Sequence, residues 1–257
     1  MFLNGKTATV FAATGAIGSS VARRLRAEGA KVHISGRDPD ALKRLADDIG
    51  ATWGQVDATQ EGEVQACFEQ LSERGEMPDI VFNAIGPRAA AAEYGRPAAA
   101  LSRAKFLLPM ETIVWSQFLT ARAAAQALMA AKQQGAIVTL SASLSGQFIP
   151  FMAGVTAACG AVEALTRSLA AEYGRSGIRV NCVRAGGMPE TRTIRETTAR
   201  MNQTLGAAGD AGQPGMMNVL GRPLRVEETA QMIVCVASDR ASGVAGQVIN
   251  VCAGALV

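Results

Sequence analysis

The sequence predicts a single α/β domain over residues 1–257: a doubly wound, mostly parallel sheet of seven strands with helices on both faces. Three observations carry this. Short β-rich apolar runs alternate with amphipathic helical stretches along the chain. The runs are apolar on both faces, as strands covered from both sides must be. The first run ends in a small-residue turn, FAATGAIG, that leads directly into a helical pattern. Right-handed crossovers then wind the chain into a sheet with helices on both sides.

The elements follow in order. TATVF is a strand and AIGSSVARRLRAEG its helix; KVHIS is followed by DALKRLADDIG; a third strand precedes Asp57, and DIVFN is the fourth. AIVTLS leads into the long helical stretch AGVTAACGAVEALTRSLAAEYG, and IRVNCV and QVINV complete the sheet. Pro189 to Leu220, rich in Thr, Gly, Met and Gln, has no clear period, so the region from about residue 188 to 220 reads as a mobile flap at the carboxyl edge of the strands. Ligands bind at that edge in such sheets.

Composition narrows the function classes. Apolar residues make up 49% and charged residues 18%, which describes a soluble globule rather than a disordered segment. A net charge of +3 from scattered arginines, with 5% aromatic residues, argues against nucleic acid. The five cysteines form no CxxC pair and are odd in number, so neither a disulfide framework nor a metal site is supported, and reduced thiols in a cytoplasmic protein are expected. The amino terminus lacks the pattern of an export signal. Residues 133–162 carry no charge, but their Ser, Thr, Gln, Gly and Pro150 fit a buried strand and helix better than a membrane span.

The first turn has the chemistry of a pyrophosphate cradle. Backbone N–H groups and a helix N-terminus can approach an anion closely only where side chains are small. Ala12, Ala13, Gly15, Ala16 and Gly18 meet that need, and Thr14 adds a hydroxyl. The second strand ends in Gly36-Arg37, a cation where an acid would hold the ribose 2′-hydroxyl of NAD, so NADP(H) is favoured. Asp57 is placed to meet the adenine amine, and Asn83-Ala84-Ile85-Gly86 to lie against the adenine ribose. His33, the single histidine, reads as a packed core residue.

With these motifs in order, the chain resembles the short-chain dehydrogenase/reductases in their compact form over nearly its whole length. The resemblance rests on ATGAIG, the basic GR, the aspartate after strand three, NAIG, IRVNCV and the closing GRPLRVEETAQMIVCVASDRASGVAGQVINV. It implies a Rossmann-type sheet and a dinucleotide cofactor. It also implies a homo-oligomer, a dimer or a homotetramer, built partly from helices around residues 110–134 and 153–174. Ile17, Ala58, Gly186 and Met188 join the cofactor-facing set by the same resemblance.

The resemblance also implies an Asn-Ser-Tyr-Lys tetrad, and here the chain departs from it. Anchored on GAVEALTRS, the tyrosine position falls on Val155, the lysine on Cys159, the serine on Ala142 and the asparagine near Ile113. A phenol of pKa about 10 needs a nearby cation to exchange protons near neutrality. Val155 has no proton to give, and Cys159 supplies neither charge nor reach. Three residues could substitute: Ser143 beside Ala142, and a rewired pair of Tyr94, in the loop after NAIG, with Lys105. Tyr173 is expected at a surface position with a structural role. The pocket lined by Val155, Ala142, Ile113, Phe148 and Phe151 reads as apolar, suited to an apolar small-molecule ligand. Three functions stay open: an NADP(H)-binding oxidoreductase of unusual chemistry; a non-catalytic dinucleotide sensor or inactive oligomer partner; or a non-redox enzyme acting on an apolar ligand. The phosphate turn carries Ala at positions 12 and 16 in place of Gly, and Ala185 stands where the family has proline, so reduced cofactor affinity is also expected.

Overall fold

A computed structural model describes residues 1–206 and 218–255. Seven strands, β1 (Thr7–Phe11), β2 (Lys31–Gly36), β3 (Thr52–Gln55), β4 (Ile80–Asn83), β5 (Gly135–Ala142), β6 (Ile178–Ala185) and β7 (Val248–Val251), form one sheet. Their order is β3-β2-β1-β4-β5-β6-β7. Every pairing is parallel, so the expected mostly parallel sheet is wholly parallel. The winding reverses between β1 and β4, and the carboxyl ends of these strands open the crevice where such sheets bind ligands.

Side-chain alternation builds the two layers. Ala8 and Val10 of β1 point to one face, where they meet α1 (Ala16–Ala27), α2 (Pro39–Ile49) and α8 (Val226–Ala237). Phe11 of β1 and Val81 of β4 point to the other face, against α3 (Glu61–Glu73), α5 (Trp115–Ala130) and α6 (Ala153–Tyr173). Burying each large apolar side chain in these layers contributes about 1.5–3 kcal/mol. The uncharged run at 133–162 is β5 with the start of α6, and among the described residues no helix is long and apolar enough to cross a membrane.

Local signals account for the helix ends near the site. Asp38 caps α2, its carboxylate accepting from the Ala41 amide at 3.0 Å with Pro39 behind it, and Gly50 closes the helix in the left-handed region. A short α4 (Arg103–Pro109) runs into a π-helical turn at Met110–Val114 before α5 begins. Pro109 has no N–H to donate and sits where the helix changes geometry.

Two expectations are corrected here. The flap contains a fourteen-residue helix, α7 (Arg192–Leu205), capped by Thr191, whose hydroxyl accepts from the Ile194 amide at 3.4 Å. Residues 207–217 of the expected flap lie outside the described residues. Tyr173, expected at the surface, is 6% exposed and packs with Leu169 and Ile178.

Candidate active site

The turn after β1, expected to cradle a phosphate, is tight and built around small residues. Ala12 stands in the left-handed region at φ 54°, a conformation natural to glycine and strained for alanine. The Gly15 amide donates to the Ala12 carbonyl at 3.2 Å, and α1 starts one residue later. A side chain at Gly18 has no room, because its Cβ would stand 2.5 Å from the Ala12 oxygen. No side chain caps α1 and its first turn holds no acid, so the amides there face outward unopposed.

Beside this turn, the Thr14 hydroxyl lies 3.8 Å from where a Cβ on Gly36 would be. That closeness joins the first turn to the end of β2. Arg37 extends into solvent and its guanidinium stands 3.8 Å from the Asp57 carboxylate. Thr14 also lines a cavity of about 310 Å³ between α1 and α2, together with Ser19, Arg23, Arg44 and Asp48. Arg44 was not singled out from sequence. It is exposed on α2, seven residues after Arg37, and that spacing of two cations is the signal that could have found it.

Several expected cofactor residues turn out to build the site rather than line it with side chains. Asn83 is 2% exposed: its amide group donates to Ser116 and Thr120, and its oxygen accepts from the Ile85 amide at 2.8 Å. It thus shapes the Ala84-Ile85-Gly86 turn from below. Asp57 accepts from the Thr59 amide and hydroxyl at 3.0 and 2.7 Å, and Ala58 is buried in the core against Val56 and Val64. Ile17 packs with Met188, which is 4% exposed and receives the Thr229 hydroxyl on its sulfur. The Gly186 amide donates to Val251 at 2.8 Å, and a Cβ there would meet Cys252 at 2.9 Å.

On the far side of the crevice, Ile113, Val155 and Cys159 are buried in one apolar cluster, with Ala142 against it. Helix α6 enters under α4, where a Cβ on Gly154 would stand 2.8 Å from the Phe106 carbonyl. This fixes Val155 inward. The Cys159 sulfur accepts from the Ala142 amide at 3.3 Å. Burial, against that hydrogen bond, pushes its thiol up to about 11, so it stays protonated at neutral pH.

The expected substitutes divide. The Ser143 hydroxyl donates to Gln147 at 3.0 Å, so its proton is committed. Lys105 donates to the Ala91 carbonyl at 2.8 Å and makes no ion pair with Tyr94; the rewired pair is not formed. Tyr94 itself enters the same cluster as Ile113, Val155 and Cys159, 5% exposed. Phe148, expected in the pocket wall, projects fully into solvent, and Phe151 is half-buried in the left-handed region at φ 65°.

A charged network beneath the cluster was invisible in the sequence. Glu163, one turn beyond Cys159, is 5% exposed and accepts hydrogen bonds from Ser141 at 2.9 Å, Ser145 and Arg184. Burial pushes its carboxyl up, but the bonds from Arg184, Ser145 and Ser141 outweigh this and hold it below the usual range. Arg184 also donates to Asn250 at 3.2 Å. All the cysteines are free, and no metal-binding cluster occurs among the described residues.

Comparison with known proteins adds the following. The family model described as enoyl-(acyl carrier protein) reductase matches residues 11–255. The cis-4-hydroxycyclohexanecarboxylate dehydrogenase of Sinomonas cyclohexanicum is 33% identical, with 97% of this chain and 96% of that protein covered. A 2,5-dichloro-2,5-cyclohexadiene-1,4-diol dehydrogenase of Sphingobium indicum is 31% identical over 95% of this chain and 94% of its own. A solved structure titled short chain dehydrogenase/reductase family protein superposes with a TM-score of 0.80 at 32% identity, covering 99% and 98% of the two chains.

Proposed function

We propose, for a chain that belongs to the short-chain dehydrogenase/reductase family over nearly its whole length, that it binds NADP(H) and has lost the family's tyrosine–lysine proton relay. The relatives are dehydrogenases and reductases, and the chain is oxidoreductase-like in family and fold.

The cofactor reading rests on fit. The uncapped start of α1, the absent side chain at Gly18 and the small residues of the turn leave a cradle for a pyrophosphate. Arg37 at the end of β2 and Arg44 near Thr14 supply positive charge where a 2′-phosphate would sit, while Arg23 is already paired with Asp48. When bound, NADPH supplies a hydride. The chain's own residues supply position and an apolar wall that excludes water.

The single observation that carries the loss of the relay is the burial of Val155 and Cys159 together at the inner face of α6. Neither moves a proton: one is aliphatic, and the other is held as a neutral thiol by its surroundings. Reduction of a simple ketone then lacks a general acid, which lowers the rate by several powers of ten. The apolar cluster favours one further reading, binding of an apolar ligand without redox chemistry, and the carbocyclic substrates named for two relatives make a six-membered ring ketone the natural probe.

The test is calorimetric titration with NADPH and NADH on the wild type and Arg37→Ala. NADPH should bind more tightly than NADH, and the variant should lose about ten- to hundredfold in NADPH affinity, with NADH unchanged. Equal affinities for both dinucleotides, indifferent to Arg37, would remove the NADP(H) assignment.

A further inference from the structure

We propose that Tyr94 is a ligand-binding residue of this site: its neutral phenol donates a hydrogen bond to a carbonyl or hydroxyl oxygen of an otherwise apolar ligand. The inference rests on the reading of the apolar cluster as the ligand site.

Four observations support it. Tyr94 is 5% exposed and packs in the cluster that contains Ile113, Val155 and Cys159. Among the described residues its hydroxyl has no hydrogen-bond partner, and burial and Cys159 are what act on its acidity. Its oxygen is not one of the fully enclosed unpartnered polar atoms among the described residues, so it keeps an opening by which a ligand atom can reach it. The backbone before it is also held against ordinary preference, at Glu93. Glu93 and Gly95 on either side lie in the left-handed region, at φ 52° and 90°. A Cβ on Gly95 would stand 2.9 Å from Arg200.

That segment is fastened from three directions. The Tyr94 amide donates to Ala89 at 3.0 Å and its carbonyl accepts from the Arg200 guanidinium at 2.9 Å. The Gly95 carbonyl accepts from the Thr204 hydroxyl at 2.6 Å, and its amide donates to Phe151 at 3.0 Å. Helix α7 and the loop after β5 thus press the ring into the cluster. Strain of this kind at a loop residue, held by surrounding contacts, marks a positioned side chain.

The chemistry is that of a donor only. Burial, with Cys159 adding to it, pushes the phenol far above its ordinary range, and Lys105 is spent on Ala91. The proton therefore stays on tyrosine, and the bond polarises the ligand oxygen without transferring to it. A ligand with one acceptor oxygen on a carbon ring or chain fits; an ionised acid does not.

Binding of cyclohexanone and of methylenecyclohexane, its analogue without the oxygen, to wild type and Tyr94→Phe tests this, with and without NADPH. The ketone should bind the variant about three- to tenfold more weakly, the scale of one neutral hydrogen bond, and the hydrocarbon should bind both equally. On the wild type itself, the infrared carbonyl stretch of bound cyclohexanone should move to lower frequency, which requires no variant to fold. An unshifted carbonyl, equal ketone affinity in both proteins, or no ketone binding at all would overturn the proposal. Ketone discrimination without any NADPH binding would uphold Tyr94 and overturn the cofactor reading instead.

Discussion

The β1–α1 turn and the start of α6 lie at one edge of the sheet, yet they are built differently. In the turn, Ala12 holds the left-handed conformation natural to glycine. At α6, the helix is intact and packed under α4, but Val155 and Cys159 offer no proton relay. Anion binding by backbone amides survives side-chain change, whereas proton transfer by side chains does not. On the function proposed above, the difference teaches that a binding surface made of backbone can persist beside side chains that no longer carry the same chemistry.

The largest expected effect comes from restoring the relay. Val155→Tyr with Cys159→Lys should raise NADPH oxidation with cyclohexanone at least about hundredfold, the usual scale of a positioned acid. A flat result in a folded variant would place the divergence in more of the pocket than these two residues.

Next is the charged network beneath the α6 cluster. Glu163→Gln leaves Arg184 without its counter-charge, and should lower stability in urea by about 3 kcal/mol at neutral pH. Because the folded carboxyl is held low, its contribution is present above the unfolded pKa and fades as pH falls through the folded one. The gap between the two proteins should therefore narrow in acid.

The β2 side of the sheet has its own pH signature. Burial, and then the charge of Arg74, lower His33 to about 4 from 6.5. The unfolded chain binds the proton more readily, so stability is full above pH 6.5 and declines towards pH 4, by ~3 kcal/mol in all. His33→Gln should flatten that window in melting curves. A decline of the same size in the variant would assign it to other groups.

The smallest effect sharpens the comparison most finely. Ala12→Gly removes a left-handed alanine and should stabilise the fold by about 1 kcal/mol, read as a raised melting temperature. A loss of stability would mean the Ala12 methyl contributes packing that outweighs its strain.

The parts of this molecule written in local sequence were legible. Small residues after a strand, Gly36-Arg37 after the next, and alternating apolar runs each state their geometry within a few positions. What was hidden depends on residues far apart in the chain. Glu163 meets Ser141 and Arg184 only through the packing of α6 on β5 and β6. Tyr94 was weighed with Lys105 because both follow β4, but the fold sends the lysine to Ala91 and the ring inward. Phe148 looked like pocket lining because it is apolar, and nothing local told that it points to solvent. The α7 helix did carry a signal, the Thr191 cap, masked by a run of weak helix formers.

The central claim, cofactor binding without the family's proton relay, is tested most directly by single-turnover mixing of the protein with stoichiometric NADPH and saturating cyclohexanone, followed at 340 nm. Bound NADPH should persist, with oxidation slower than about one per minute. Oxidation of bound NADPH at about ten per second, a common enzymatic turnover, would contradict it.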